Sequence, residues 1–171
     1  QSNMAEGGIN AALNTMGQND KPELHEAETY KAGRYLACKE AVHRLAQAAP
    51  DIVRMLYDWG MAFNLTEDGQ IAQRPFGGQT KKRTAFASAS PGKQLMYTLT
   101  TKARQYEANG MIENRTCYRF LKLVENDGRA MGALIADVNT GCISYVPASG
   151  VILASGGMNG LFGNATGSVL N

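Results

Sequence analysis

The spacing of apolar residues changes character along the chain. Between residues 20 and 110 they recur at helical intervals, between 111 and 146 they follow a period of two, and from 150 to 154 they run unbroken. The helical stretch divides into three. Asp20-Lys21-Pro22-Glu23 predicts a helix start, with Asp20 as cap, Pro22 in the first turn and Glu23 at the capping-box position. This helix should run to Ala32 and stop at Gly33, carrying His25 as a surface histidine rather than a ligand or base. A second helix starts near Lys39 with Ala41, Val42, Leu45, Ala46 and Ala49 on its apolar face. Pro50 restarts it, Ile52, Val53, Leu56 and Trp59 continue the stripe, and Gly60 closes it. Trp59 reads as a core anchor, and His43 falls on the polar side. Met61-Ala62-Phe63 reads as a short strand and Glu67-Asp68-Gly69-Gln70 as a turn. The third helix opens at Ser90-Pro91-Gly92-Lys93, has a core stripe of Leu95, Met96, Leu99, Ala103 and Tyr106, and stops at Gly110.

The alternating stretch predicts strands at 111–114, 117–124, 131–138 and 142–146. Asn126-Asp127-Gly128 and Asn139-Thr140-Gly141 turn between the last three, which gives a three-stranded antiparallel meander. Gly150-Val151-Ile152-Leu153-Ala154, apolar without alternation, reads as a buried parallel strand that runs into Ser155-Gly156-Gly157. A strand ending in small residues is how α/β sheets make room for a nucleotide at their carboxyl edge. The expected fold class is therefore α/β, or α+β for a part of such a domain: N-terminal helices, the meander and one parallel strand.

Composition narrows the function classes. The 171 residues amount to one domain or a large piece of one, and 17 Lys and Arg against 15 Asp and Glu leave a net charge of only +2. That balance argues neither for nucleic acid nor against it, and Lys81-Lys82-Arg83 reads as a solvated loop. Apolar runs fall short of a membrane span, and no secretory signal leads the chain. Cys38, Cys117 and Cys142 fit neither a zinc nor a disulfide frame and read as reduced thiols of a cytoplasmic protein. Asn64-Leu65-Thr66, Asn114-Arg115-Thr116 and Asn164-Ala165-Thr166 match the glycosylation pattern, which carries no meaning in that setting. Gln1-Ser2-Asn3 ahead of Met4 resembles the scar of a cleavage site.

The candidate chemistry lies in glycine. There is no Ser-His-Asp set, no metal-spaced cluster and no phosphate loop, but there are three glycine doublets: Gly7-Gly8, Gly77-Gly78 and Gly156-Gly157. Without a Cβ, such positions let main chain approach a flat ligand. The second doublet follows Phe76 within Gln73-Arg74-Pro75-Phe76-Gly77-Gly78-Gln79, a loop that joins an aromatic to two glycines and suggests docking. Together the doublets suggest a large planar cofactor met by main chain. A flavin fits, because its ring is tuned by backbone donors near N1, O2 and N5.

Five pieces carry a family resemblance: AEGGINAAL at 5–13, DKPELHEAETYKAG at 20–33, QRPFGGQ at 73–79, PGKQLMYTL at 91–99 and GVILASGG at 150–157. In that order, and over nearly the whole chain, the sequence resembles the flavoprotein subunit of succinate dehydrogenase and fumarate reductase, with L-aspartate oxidase as the near relative. QRPFGGQ favours the succinate/fumarate branch.

The resemblance implies a partial Rossmann-like FAD-binding domain over 1–171. FAD would be contacted by Ala5, Glu6, Gly7, Gly8, Ala154, Ser155, Gly156 and Gly157, and Gly7 and Phe76 would border the site of a C4 dicarboxylate. The family's G-x-G-x-x-G unit and its capping domain, with the proton-delivering groups, have no counterpart in these residues. The expectation is thus a fragment of an oxidoreductase that moves hydride between flavin N5 and succinate or fumarate, inactive by itself and without a catalytic residue of its own. The histidine through which some members attach flavin covalently would fall at Gln1. Electrons would pass to an iron–sulfur subunit or a haem, with partner subunits holding the protein at the inner face of a membrane. The alternatives are an L-aspartate oxidase-type flavoprotein, or a non-catalytic remnant that self-associates as a homo-oligomer through Val151, Ile152 and Leu153.

Overall fold

The computed structural model describes residues 2–165 and 167, so the expectations at Gln1 and Thr166 lie outside the described residues. The chain divides into two compact units, Gln1–Tyr106 and Glu107–Asn171.

The first unit contains β1 (Ile9–Asn10), α1 (Pro22–Ala32), α2 (Lys39–Asp58), β2 (Gln73–Arg74), β3 (Thr84–Ala85) and most of α3 (Pro91–Ala108). Its strands form a small antiparallel sheet in the order β1-β3-β2, with Ile9 and Gln73 both opposite Ala85. The core is Ala11, Ala49, Val53, Leu56, Met61, Phe63, Ile71 and Ala85, with Ile9, Leu13 and Leu95 packed on its margin. Amphipathic spacing explains α2: Val42, Ala46, Ala49, Val53 and Leu56 are buried at intervals of three and four. The buried stripe is narrower than expected, since Ala41, Leu45 and Ile52 are exposed. Pro50 does not restart the helix. It sits inside one 20-residue helix, where its missing N–H costs one hydrogen bond while the ring itself is buried.

Several expectations in this unit are corrected. Lys21, not Asp20, occupies the N-cap of α1 and makes no side-chain cap bond, because Asp20 is turned inward. Met61-Ala62-Phe63 is no strand: the Phe63 N–H donates to the Met61 carbonyl at 2.9 Å, which bends the chain while both side chains enter the core. The stripe of α3 is largely open, with Met96, Leu99 and Tyr106 exposed, whereas Pro91, Gly92 and Thr98 are buried. Trp59 is half-buried rather than a core anchor, and Lys102 lies over its ring at 5.3 Å.

The second unit is built on β4 (Tyr118–Asn126), β5 (Arg129–Asp137) and β6 (Ile143–Pro147), paired antiparallel in that order as the alternation predicts. Asp127 (φ 51°) and Gly128 (φ 74°) make the two-residue hairpin turn whose twist matches paired strands. The Asp137 carboxylate accepts from the Asn139 and Thr140 N–H groups and shapes the next turn. Residues 111–114 form no strand. Nor do 150–154: Ile152 is 94% exposed and Leu153 63%. An unbroken apolar run marks suitability for burial, but a strand also needs hydrogen-bonding neighbours, and among the described residues none pairs with it. The observed class is mixed helix and antiparallel sheet.

Candidate functional site

Ala5 to Gly8 is fixed from three sides. From α3, the Gly92 N–H donates to the Ala5 carbonyl at 2.9 Å; a Cβ at Gly92 would run into the Ser2 carbonyl and the Ala5 main chain, so only glycine lets the helix start so close. From β3, Gly8 is crowded in the same way. Its φ is +119°, and an added Cβ would lie 2.5 Å from the Ala85 carbonyl oxygen and 2.6 Å from Thr84 Cγ2. From β2, Arg74 Nη2 donates to the carbonyls of Glu6 at 2.9 Å and Gly7 at 2.8 Å, and its guanidinium lies over the Phe86 ring at 4.8 Å. Behind the doublet, Gln73 Nε2 donates to the Ala11 carbonyl at 2.6 Å, and the Thr84 hydroxyl donates to Asn10 Oδ1 at 2.7 Å.

Phe76 joins this group. A Cβ at Gly7 would meet Phe76 Cζ at 3.1 Å, so ring and glycine are neighbours, with Phe76 still 52% exposed. Gly77 and Gly78 behave differently. Neither has an atom near the place of an added Cβ, and Gly78 (φ +80°) is a turn position. Gly78 instead lines a hollow of about 530 Å³ with Glu28, Lys31, Ala32, Arg34, Tyr35 and Thr80. The third doublet belongs to the second unit. Gly156 has φ +90°, Gly157 lies against the Asn159 side chain, and Ala154, Ser155, Gly156 and Gly157 are exposed. Of the residues singled out in the sequence, the first unit thus brings together Ala5, Glu6, Gly7, Gly8 and Phe76. Sequence reasoning missed Arg74 and Gly92. Arg74 stood there only as one residue of the QRPFGGQ loop, and Gly92 only as a helix-start residue.

A buried ionic cluster supports the loop that leads into β3. Arg83, 1% exposed, pairs with Asp20 at 2.8 Å and with Glu28 at 3.0 Å, and Glu28 also accepts from the Thr80 hydroxyl and N–H. His25 is 4% exposed and not a surface residue as expected. Burial holds its pKa below the ordinary 6.5, the Arg83 charge adds to that, and Asp20 and Glu28 pull the other way. His25 is therefore kept neutral. Its partners show why the basic run misleads: Lys82 is exposed, while Arg83 is the inward cation of the cluster.

Gly7 and Gly8 offer main chain without side chains, Gly8 exposed and Gly7 half-buried against Phe76, which suits contact with a flat ring. A family model described as FAD binding domain matches residues 1–170. The chain belongs to this FAD-binding family. FAD is accordingly the cofactor of its kind, and the exposed backbone of the doublet fits a ring lying close to it; the space a Cβ would take is filled by β3 at Gly8 and borders the Phe76 ring at Gly7. Among curated relatives, it is 38% identical over 168 residues to the succinate dehydrogenase flavoprotein subunit of Bacillus subtilis, covering 98% of this chain and 29% of that protein. It is 32% identical over 160 residues to a fumarate reductase (CoM/CoB) subunit of Methanothermobacter marburgensis, covering 93% and 28%. Among solved structures, it resembles Mycobacterium smegmatis Sdh1 in complex with UQ1, with a TM-score of 0.87 at 30% identity over 98% of this chain and 29% of that one. The Escherichia coli quinol fumarate reductase FrdA gives 0.84 at 25% identity over 94% and 26%. The chain therefore spans under a third of the length of these relatives. Their names describe proteins of succinate dehydrogenase and fumarate reductase, several of them as subunits; self-association of this chain draws no support from them. Among the described residues no helix is long and apolar enough to cross a membrane.

Proposed function

We propose that this chain is the portion of an FAD-dependent oxidoreductase, interconverting succinate and fumarate, that carries part of the flavin bed and one wall of the substrate pocket. Ala5, Glu6, Gly7 and Gly8 would hold the ring, and Ala154, Ser155, Gly156 and Gly157 the nucleotide half of the cofactor. Gly7 and Phe76 would border the dicarboxylate. Bound there, FAD would supply hydride exchange at N5. The residues of the chain bind and orient: backbone fixes the ring's position, and the exposed Phe76 ring, held against Gly7, shields one side of the pocket from water. No residue here is assigned to deliver the proton, so the chain alone is expected to bind without turnover. An iron–sulfur subunit or a haem would take the electrons in the complete protein.

The observation that carries this reading is the doublet itself. Gly8 leaves its backbone exposed with no side chain to cover it, and Gly7 packs on the one exposed aromatic of the QRPFGGQ loop. The test is a titration of the FAD-loaded chain with fumarate, succinate and aspartate, read in the visible flavin spectrum. Fumarate and succinate should perturb the bands, and Phe76→Ala should weaken that response about tenfold, the order expected for losing one aromatic wall. A response to aspartate alone would refute the dicarboxylate assignment in favour of an aspartate oxidase.

A further inference from the structure

The backbone geometry around Arg74 goes further than a structural brace. A peptide unit is planar and trans, so its N–H points opposite its C=O. The Glu6 carbonyl shares a peptide with the Gly7 N–H, and the Gly7 carbonyl shares one with the Gly8 N–H. Both carbonyls are turned onto the same Arg74 nitrogen, at 2.9 and 2.8 Å. Both N–H groups are therefore turned away from it. Among the described residues no turn or loop hydrogen bond uses either N–H, and Gly8 is exposed with Gly7 half-buried. A cation on the carbonyl end withdraws charge along the peptide and makes the opposite N–H a stronger donor. Arg74 is itself held in place by the Phe86 face, and its buried Nε has no hydrogen-bond partner among the described residues. A cation with one buried donor left unpaired is costly, which argues that the guanidinium is retained for its position.

We infer that Arg74 is a positioning residue for the flavin: it aims and polarises the Gly7 and Gly8 N–H groups as a pair of donors toward the cofactor ring. This rests on the reading of the doublet as a flavin contact. Donors strengthened in this way favour the ring form that carries more negative charge, so Arg74 raises the reduction potential of the bound flavin as well as its affinity. Lysine could keep the charge, but it cannot lie flat on Phe86 or present the same planar fork.

The experiment compares wild type, Arg74→Met and Arg74→Lys with two readouts. The first needs no flavin. The ¹⁵N resonances of Gly7 and Gly8, which report hydrogen bonding at the preceding carbonyl, should move upfield in Arg74→Met and less so in Arg74→Lys, while those of α2 stay put. The second is FAD titration and the midpoint potential of the bound flavin. Arg74→Met should bind about tenfold more weakly, as for loss of charge-assisted bonds, and show a lower potential, with Arg74→Lys between. Wild type that binds FAD, with both variants matching its glycine shifts, affinity and potential, overturns the role given to Arg74 and leaves the flavin reading intact. Wild type that takes up no FAD overturns the flavin reading and this role together, whatever the glycine shifts show. An Arg74→Met chain whose α2 resonances collapse is judged on Arg74→Lys, where unchanged potential and affinity overturn the proposal.

Discussion

Arg83 and His25 set the pH and stability behaviour of the first unit at the level of single side chains. Arg83 is a buried cation with two carboxylate partners, Asp20 and Glu28. Removing one side of such a pair leaves the other charge stranded, so Arg83→Gln should cost about 3–5 kcal/mol in urea unfolding. His25 titrates in the opposite sense to a salt-bridged histidine. Its folded pKa lies below the unfolded value near 6.5, so below that pH the unfolded chain binds a proton that the folded chain refuses. Its contribution is complete above 6.5 and is lost as pH falls toward the folded pKa. The urea midpoint should therefore drop between neutral and mildly acidic pH, and His25→Gln should flatten that drop; an identical slope in both proteins would remove His25 from the account. Little of this was legible in the sequence. Asp20 stands 63 residues from Arg83 and reads as a helix cap, because ion pairing across such a distance is decided by tertiary contact and leaves no local spacing. Gly8 was different. Glycine's permissiveness is intrinsic, so a doublet marks where close approach is allowed before any fold is known, and Gly8→Ala, with φ +119° and the Ala85 carbonyl in its way, should destabilise by more than about 1 kcal/mol.

Among elements, legibility followed the locality of the signal. All three long helices stand close to where caps, prolines and glycines put them, and the meander has the predicted order and turns. Helix starts and two-residue turns are written within a few neighbouring residues. Burial is not. The α3 stripe is apolar at helical spacing yet mostly exposed, and the Val151-Ile152-Leu153 run is apolar without being paired. Both patterns state what would suit a partner surface, and neither can state whether these residues supply it. Pro50 misled for a related reason: proline predicts a local break, whereas α2 carries it through the middle because its ring is buried along with Ala46, Ala49 and Val53. The hairpin turn between β4 and β5 gives a direct check. Gly128→Ala, forced to φ 74°, should lower stability by about 1 kcal/mol, visible as a lower thermal midpoint. No change would mean that the hairpin turn does not depend on the positive φ at Gly128.

For the whole molecule, the family assignment is broad and the geometry proposed to serve it is local. The FAD binding domain match runs over residues 1–170, while the backbone proposed to meet the flavin ring lies at Ala5–Gly8, braced by Gly92, Arg74, Phe76 and Ala85. That segment was recognisable in the sequence as a glycine doublet; its bracing was not, because Arg74 reaches it across 67 residues. If this braced stretch is the bed for the flavin ring, the purified chain should keep the cofactor. The visible spectrum of the purified chain after incubation with FAD and removal of free cofactor checks this, taken alongside Gly7→Val, whose added Cβ meets the Phe76 ring rather than backbone. Wild type should retain flavin bands and the variant lose them. A wild-type chain that stays colourless with FAD in excess, or a variant as yellow as wild type, would contradict it.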